Sequence, residues 1–236
     1  MKKILTSIIF VILLTLCGVV IFFNVTHEYY DVLGPSMSPT INAGVVEENT
    51  KKDAVFVSKI KNIQCGDIVV ATKLDNEGNS YHVIKRIIAM GGDKIKIEQV
   101  DGDNRIVIIK NGQTESVVLD EEYLSDYAIN KQLKKEFTEM IILCDLQLDL
   151  DGFLLIPNDC VFLLGDNRSA SRDSADYGPV KRSTIVGKVD YIIYGNSNPY
   201  GQVIQQFFGW WLWKLNNWNY LILETTPLVK LTLLTG

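Results

Sequence analysis

From Ile4 to Phe23 the chain reads ILTSIIFVILLTLCGVVIFF, twenty residues without a charged side chain. A helix rises about 1.5 Å per residue, so this run covers about 30 Å, the thickness of a bilayer hydrocarbon core. It is longer than the apolar stretch of a secretory signal and is followed by NVTHEYYD instead of a small-residue exit, which favours an uncleaved anchor over a removed leader. Lys2 and Lys3 precede the run, and Glu28 and Asp31 follow it. This bias predicts a single-pass protein of the cell membrane, with its N-terminus cytoplasmic and its bulk on the extracytoplasmic face. Residues 1–26 are then the cytoplasmic stub and anchor, 27–200 a folded domain, and 201–236 a separate tail.

The 236 residues are 47% apolar and 22% charged with 17 Gly and 6 Pro, a balance that excludes a disordered or collagen-like chain. With a net charge of -5 and no Lys/Arg cluster, the sequence lacks the positive surface that a phosphate backbone requires, so nucleic acid is not an expected partner. Past the anchor come short β-type runs: VVEE, DAVFVSKI, DIVVATK, HVIKRIIAM, KIKIEQV, RIVIIK, FLLIP, CVFLLG and TIVGKVDYIIY. Several alternate with period two, and DNEGN, GGD, DGDN and KNGQ punctuate them as turns, which predicts a mainly β, antiparallel domain. Within it, at about 115–150, EEYLSDYAINKQLKKEFTEMI has apolar residues at helical spacing and reads as a small, partly helical insertion. Cys17 lies in the anchor, and Cys65, Cys144 and Cys160 show neither a C-x-x-C nor a Cys/His metal spacing. Spacing gives no reason to pair Cys144 with Cys160.

Three stretches can carry chemistry. In Gly34-Pro35-Ser36-Met37-Ser38-Pro39-Thr40, prolines stiffen a loop that presents a hydroxyl at a defined angle, although Ser/Pro turns are usually structural. If Tyr81–Ile88 is a strand, Lys85 shares a face with the apolar Val83 and Ile87. A lysine there either snorkels to water or is dried out, and a dried amine loses its proton more easily and becomes a base beside a serine. In Gly165–Ser174, GDNRSASRDS, an apolar strand breaks into a loop of Asp, Asn, Arg and Ser that can hold a shaped site or be a solvated turn. A His-based triad fits poorly. His27 adjoins the anchor, and His82 lies in a strand with no G-x-S-x-G elbow in the chain.

Taken together these segments resemble the bacterial type I signal peptidases, and the Gram-positive members in particular. SMSPT at 36–40 is similar to the serine box, GDIVV at 66–70 to the next, KRIIAMGGD at 85–93 to the lysine box and GDNRSASRDS at 165–174 to the last. They stand in the family's order behind an anchor, over roughly residues 2–195. The resemblance implies a membrane-anchored serine endopeptidase of antiparallel β fold that removes signal peptides from exported preproteins with a Ser-Lys dyad. By carry-over, Ser36 matches the nucleophile, Lys85 the general base and Ser171 the serine that orients the lysine amine. Asp166, Arg168 and Asp173 match loop-shaping residues, with Arg86 as partner of Asp166, while Met37 and Ile84 line shallow apolar pockets for small residues.

No metal or cofactor is implied, and the expected partners are preprotein signal peptides and the bilayer, with the protein acting as a monomer near the secretion machinery. The chain departs from the family pattern at Ala89 and Gly91, where Gly and Pro are usual, and at Ala175, where an Arg would pair with Asp173. Gly34 replaces a Ser that in Gram-negative members helps hold the oxyanion, so oxyanion binding would rest on backbone N–H groups, including that of Ser36. Two other readings fit the sequence: a different Ser-Lys processing peptidase of this fold, and a non-catalytic membrane-anchored β module.

All four Trp fall between Trp210 and Trp218, where Ile204, Phe208, Trp211, Leu215 and Trp218 would form one helical stripe. Such a stripe either lies in the membrane interface or packs on the domain. Liposome binding separates the two in the chain without residues 1–26. An interfacial stripe predicts a blue shift of Trp fluorescence and loss of vesicle sedimentation in the Trp211→Ala, Trp218→Ala double variant, with cleavage of a short soluble peptide intact. A packed stripe predicts lower thermal stability in that variant and no change with vesicles.

Overall fold

The computed structural model describes residues 2–42, 52–60, 62–75, 77–100, 102–124 and 132–194. The VVEE run and the Trp-rich stripe lie outside these residues. Helix α1 (Lys2–Thr26) is exposed along almost all of its length, and among the described residues it alone is long and apolar enough to cross a membrane. It passes without a connector into strand β1 (His27–Asp31). The joint is packed: Phe23 stacks on His27 with ring centroids 4.4 Å apart and meets Phe56 edge-on at 5.7 Å, and His27 Nε2 lies 3.2 Å from Asp190 Oδ2.

Strands β2 (Ala54–Ser58), β3 (Ile68–Leu74) and β4 (Ser80–Met90) follow, then β5 (Lys94–Val100), β6 (Asp103–Ile109) and the short β7 (Val117–Val118). After helix α2 (Leu133–Leu143) come β8 (Leu154–Leu155), β9 (Cys160–Leu164), the single turn α3 (Ser174–Tyr177), β10 (Val180–Lys181) and β11 (Ile185–Ile193). Among the described residues every strand pairing is antiparallel. One sheet has the order β1-β2-β11-β3-β4-β9-β10 and the other β7-β6-β5-β8. The antiparallel, mainly β architecture expected from the alternation is the one observed.

Strand β4 links the layers of the core. Lys85 pairs with Val69 on β3, and Val69, Val83 and Ile87 belong to one apolar cluster, so Lys85 does sit on an apolar face. The register with β9 slips between Ile87 and Ala89, and this bulge turns the side-chain alternation over. Beyond it Ile88 and Ala89 join the largest cluster, with Ile95, Ile97, Ile106, Ile108, Phe162 and Ile156 between the two sheets. Leu133, Phe137, Met140 and Ile141 of α2 close the same cluster, a helical stripe buried on one side. A third cluster, Met37, Ile41, Val55, Ile68 and Val189, lies beneath the 34–42 loop. All four cysteines are free thiols.

Phe162 is 1% exposed and packs edge-on to Phe137 at 6.0 Å. Phe162→Ala should therefore cost about 3 to 5 kcal/mol of unfolding free energy, read as a lower urea midpoint at unchanged slope.

Candidate active site

The 32–42 loop is tied to the sheet at its base. Asn42, in left-handed backbone with φ 55°, gives its N–H to Asp53 Oδ2 at 2.7 Å and its amide to the carbonyls of Val32 and Gly34, while Asp53 N–H returns to Asn42 Oδ1. Ser38 Oγ is buried and donates to the Asn42 carbonyl at 2.5 Å, so this hydroxyl is spent on closing the loop. Met37 is fully buried below it. Ser36 is half-buried, flanked by exposed Pro35, where an extended peptide can reach its hydroxyl.

Lys85 is 4% exposed and its Nζ donates to Ser36 Oγ at 2.8 Å. Burial pulls the Lys85 ammonium below the ordinary lysine value, and the charges of Asp173 and Asp166 oppose this only in part. In the neutral form the same contact reverses, with the serine O–H donating to the amine lone pair. That is the arrangement of a nucleophile with its base.

The 165–173 loop is built around Lys85 by two buried arginines. Arg86, next on β4, grips Asp166 with two bonds, Nε to Oδ1 at 2.8 Å and Nη2 to Oδ2 at 2.6 Å, and gives Nη1 to the Gly66 carbonyl. Thr40 Oγ1 adds a bond to Asp166 Oδ2. Arg168 donates to the Gly165 carbonyl at 3.0 Å and pairs with buried Glu121, while Tyr123 OH lies 3.2 Å from its Nη2 and the Tyr123 ring lies under Arg86 at 3.9 Å. Gly165 must be a glycine, because a Cβ there would strike the Ser171 side chain and the Ser36 carbonyl. The Ser36 carbonyl is held by Asn167 N–H at 3.1 Å.

Asp173 caps α3, accepting from Ala175 N–H at 3.1 Å and Gly165 N–H at 2.9 Å. Burial pushes the carboxyl up against the pull of these backbone donors. Ser171 Oγ is buried beside this carboxylate, where it helps hold the Asp173 charge, and makes no bond to Lys85. A second amine, Lys73 on β3, sits 2.8 Å above the Tyr177 ring and is brought down to about 8, first by burial and then by the Arg172 charge. It does not reach Ser36.

The sequence thus named Ser36, Lys85, Arg86, Asp166, Arg168 and Asp173, and the structure brings them to one place, with Ile84 against the cluster that contains Met37. It did not name Thr40, Glu121 or Tyr123. Glu121 and Tyr123 fall in the segment read as a partly helical insertion, yet they form a turn ahead of α2. One clue was present: with Asp166 matched to Arg86, Arg168 still required a carboxylate.

The family model described as signal peptidase, peptidase S26, matches residues 2–194. The chain is 32% identical over 183 residues to signal peptidase I of Bacillus caldolyticus, covering 75% of this chain and 83% of that protein. It is 32% identical over 189 residues to signal peptidase I P of Bacillus subtilis subsp. natto, covering 78% and 85%, and 30% identical over 164 residues to signal peptidase IB of Staphylococcus aureus, covering 69% and 75%. A crystal structure of a signal peptidase I from Enterococcus faecalis V583 aligns with 23% identity and a TM-score of 0.33 over 55% of this chain and 97% of that one. With the match extending from the apolar helix through the last strand of the sheet, the chain belongs to the signal peptidase family, peptidase S26.

Proposed function

We propose that this protein is a membrane-anchored serine endopeptidase that cleaves signal peptides from preproteins, with Ser36 as nucleophile and Lys85 as general base. The 2.8 Å contact between a nearly fully buried amine and a reachable hydroxyl carries this reading. The neutral amine takes the Ser36 proton as Oγ attacks the scissile carbonyl, and the resulting ammonium gives that proton to the departing amine. Water, deprotonated by the regenerated amine, then hydrolyses the acyl-enzyme. Backbone N–H groups, including that of Ser36, meet the oxyanion. Ile84, with Met37 beneath it, supplies a shallow apolar wall suited to small side chains.

Asp166, Arg168, Asp173 and Arg86 fix the loop that keeps water from the amine, and Ser171, as the resemblance implies, orients the amine toward Ser36 Oγ. Helix α1 places the domain at the membrane with its N-terminus inside, so that enzyme and substrate apolar segment share one plane and meet as neighbours. The substrate is the extended segment at the end of a signal peptide. The protein works as a monomer beside the machinery that delivers preproteins.

In detergent, with a preprotein as substrate, Ser36→Ala and Lys85→Ala should each lose about 10⁴-fold or more in rate, because members of a dyad fail together. Ser38→Ala, which breaks only a loop-closing bond, should stay active; an inactive Ser38→Ala beside an active Ser36→Ala would reverse the assignment. Lys85→Met should be inactive yet no less stable than wild type. The unfolded chain takes a proton at this lysine below about pH 10.4, whereas the folded chain does so only at lower pH, so wild type loses stability as the pH falls through that window. The apolar variant does not.

The rate should rise with pH on a limb set by Lys85, lying below the reference of about 10.4. Because burial and the Arg172 charge bring Lys73 down to about 8, the profile is to be repeated with Lys73→Gln, which should leave the limb in place. A limb that vanishes with Lys73, or a wild-type rate still climbing through pH 10, would remove Lys85 as the base.

A further inference from the structure

Outside the dyad, three side chains that this reaction does not use converge where the two sheets meet. Cys65 precedes Gly66 at the entry to β3, Asp93 lies in the turn between β4 and β5, and Lys110 follows β6. Lys110 Nζ stands 2.6 Å from Cys65 Sγ and 3.2 Å from Asp93 Oδ2, and Sγ is 3.6 Å from that same oxygen. Asp93 is 4% exposed and anchored by the N–H groups of Met90 and Asn111, both at 2.9 Å, so the ammonium is held where it is.

Hydrogen bonding does not account for the amine-to-sulfur distance. An N–H···O bond already asks for about 2.7 to 3.2 Å, and sulfur is the larger atom. One oxygen atom bonded to both nitrogen and sulfur, however, would set them this far apart. Both residues are partly open to solvent, which gives a peroxide-sized molecule a path to them.

We propose that Cys65 and Lys110 form an oxidation site at which peroxide joins them through a single oxygen atom, Sγ–O–Nζ, bridging the two sheets covalently. The Lys110 ammonium first gives one proton to water; the S–H bond and one N–H bond of the resulting amine are then broken, and one S–O and one N–O bond are made. Two molecules of hydrogen peroxide accept the four electrons, leaving one oxygen in the bridge and releasing three molecules of water. A dithiol reductant returns the four electrons and regenerates thiol, amine and one water. The bridge would fasten the loop whose Gly66 carbonyl holds Arg86 to the sheet that packs behind the active site.

The test uses the full chain in detergent with Cys17, Cys144 and Cys160 changed to Ser, exposed to hydrogen peroxide and read by intact mass and peptide mapping. The expected product is heavier by about 14 Da, yields one linked peptide pair containing Cys65 and Lys110, and returns to the starting mass with dithiothreitol. Its thermal midpoint should rise by roughly 5 °C, as for other cross-links that close a loop. Cys65→Ser, Lys110→Gln and Lys110→Arg should all lack the product. Gains of about 16, 32 or 48 Da on Cys65 that persist in Lys110→Gln would mean ordinary thiol oxidation and would overturn the proposal, as would an unchanged mass.

Discussion

Arg86 and Asp166 meet through two short bonds in a pocket closed to solvent, each about 1% exposed. The pair joins four pieces of chain: strand β4, the loop after β9, the 34–42 loop through Thr40, and the entry to β3 through the Gly66 carbonyl. Removing one partner would leave a bare charge in the interior, a cost of about 3 to 5 kcal/mol. Its larger effect is on its neighbour. Asp166 is committed to Arg86, Glu121 to Arg168, and Asp173 to backbone N–H groups. Lys85 is therefore dried out in the midst of carboxylates without receiving an ion pair, which is why burial prevails over attraction in setting its proton affinity.

The clusters divide scaffold from site. The largest, between the two sheets and α2, holds β4 and β9 in register, while the one under Met37 and Ile41 supports the loop that carries Ser36. Both end on β4, so this strand carries packing on one stretch and chemistry on another. The bulge after Ile87 is the changeover, since it lets consecutive residues Ile88 and Ala89 enter the same core.

Much of this was legible in the chain. Alternation marked β5 and β11 because burial alternates along them, and Lys85 betrayed itself by breaking the apolar pattern of Val83 and Ile87. Strand β1 was missed, since HEYYD is short, acidic at Glu28 and Asp31, and draws its order from pairing with Ala54–Ser58. Glu121 and Tyr123 were missed for a similar reason. Their role depends on contact with Arg168 across a distance of 47 residues in sequence for Glu121, and local composition cannot register it. The meeting of Cys65 with Lys110 is likewise a product of how the sheets stack.

The seamless passage from α1 into β1 makes the anchor a ruler. With Phe23 built into the sheet's aromatic cluster and His27 bound to Asp190, no slack separates the apolar helix from the strand leading toward Ser36. A strand of five residues rises about 17 Å, so Ser36 stands at a set height above the helix end. Bilayers of different thickness tilt a helix to match its apolar length, and here any such tilt is passed to the domain. Lipid thickness thereby becomes a variable in where, along an anchored peptide, the cut falls.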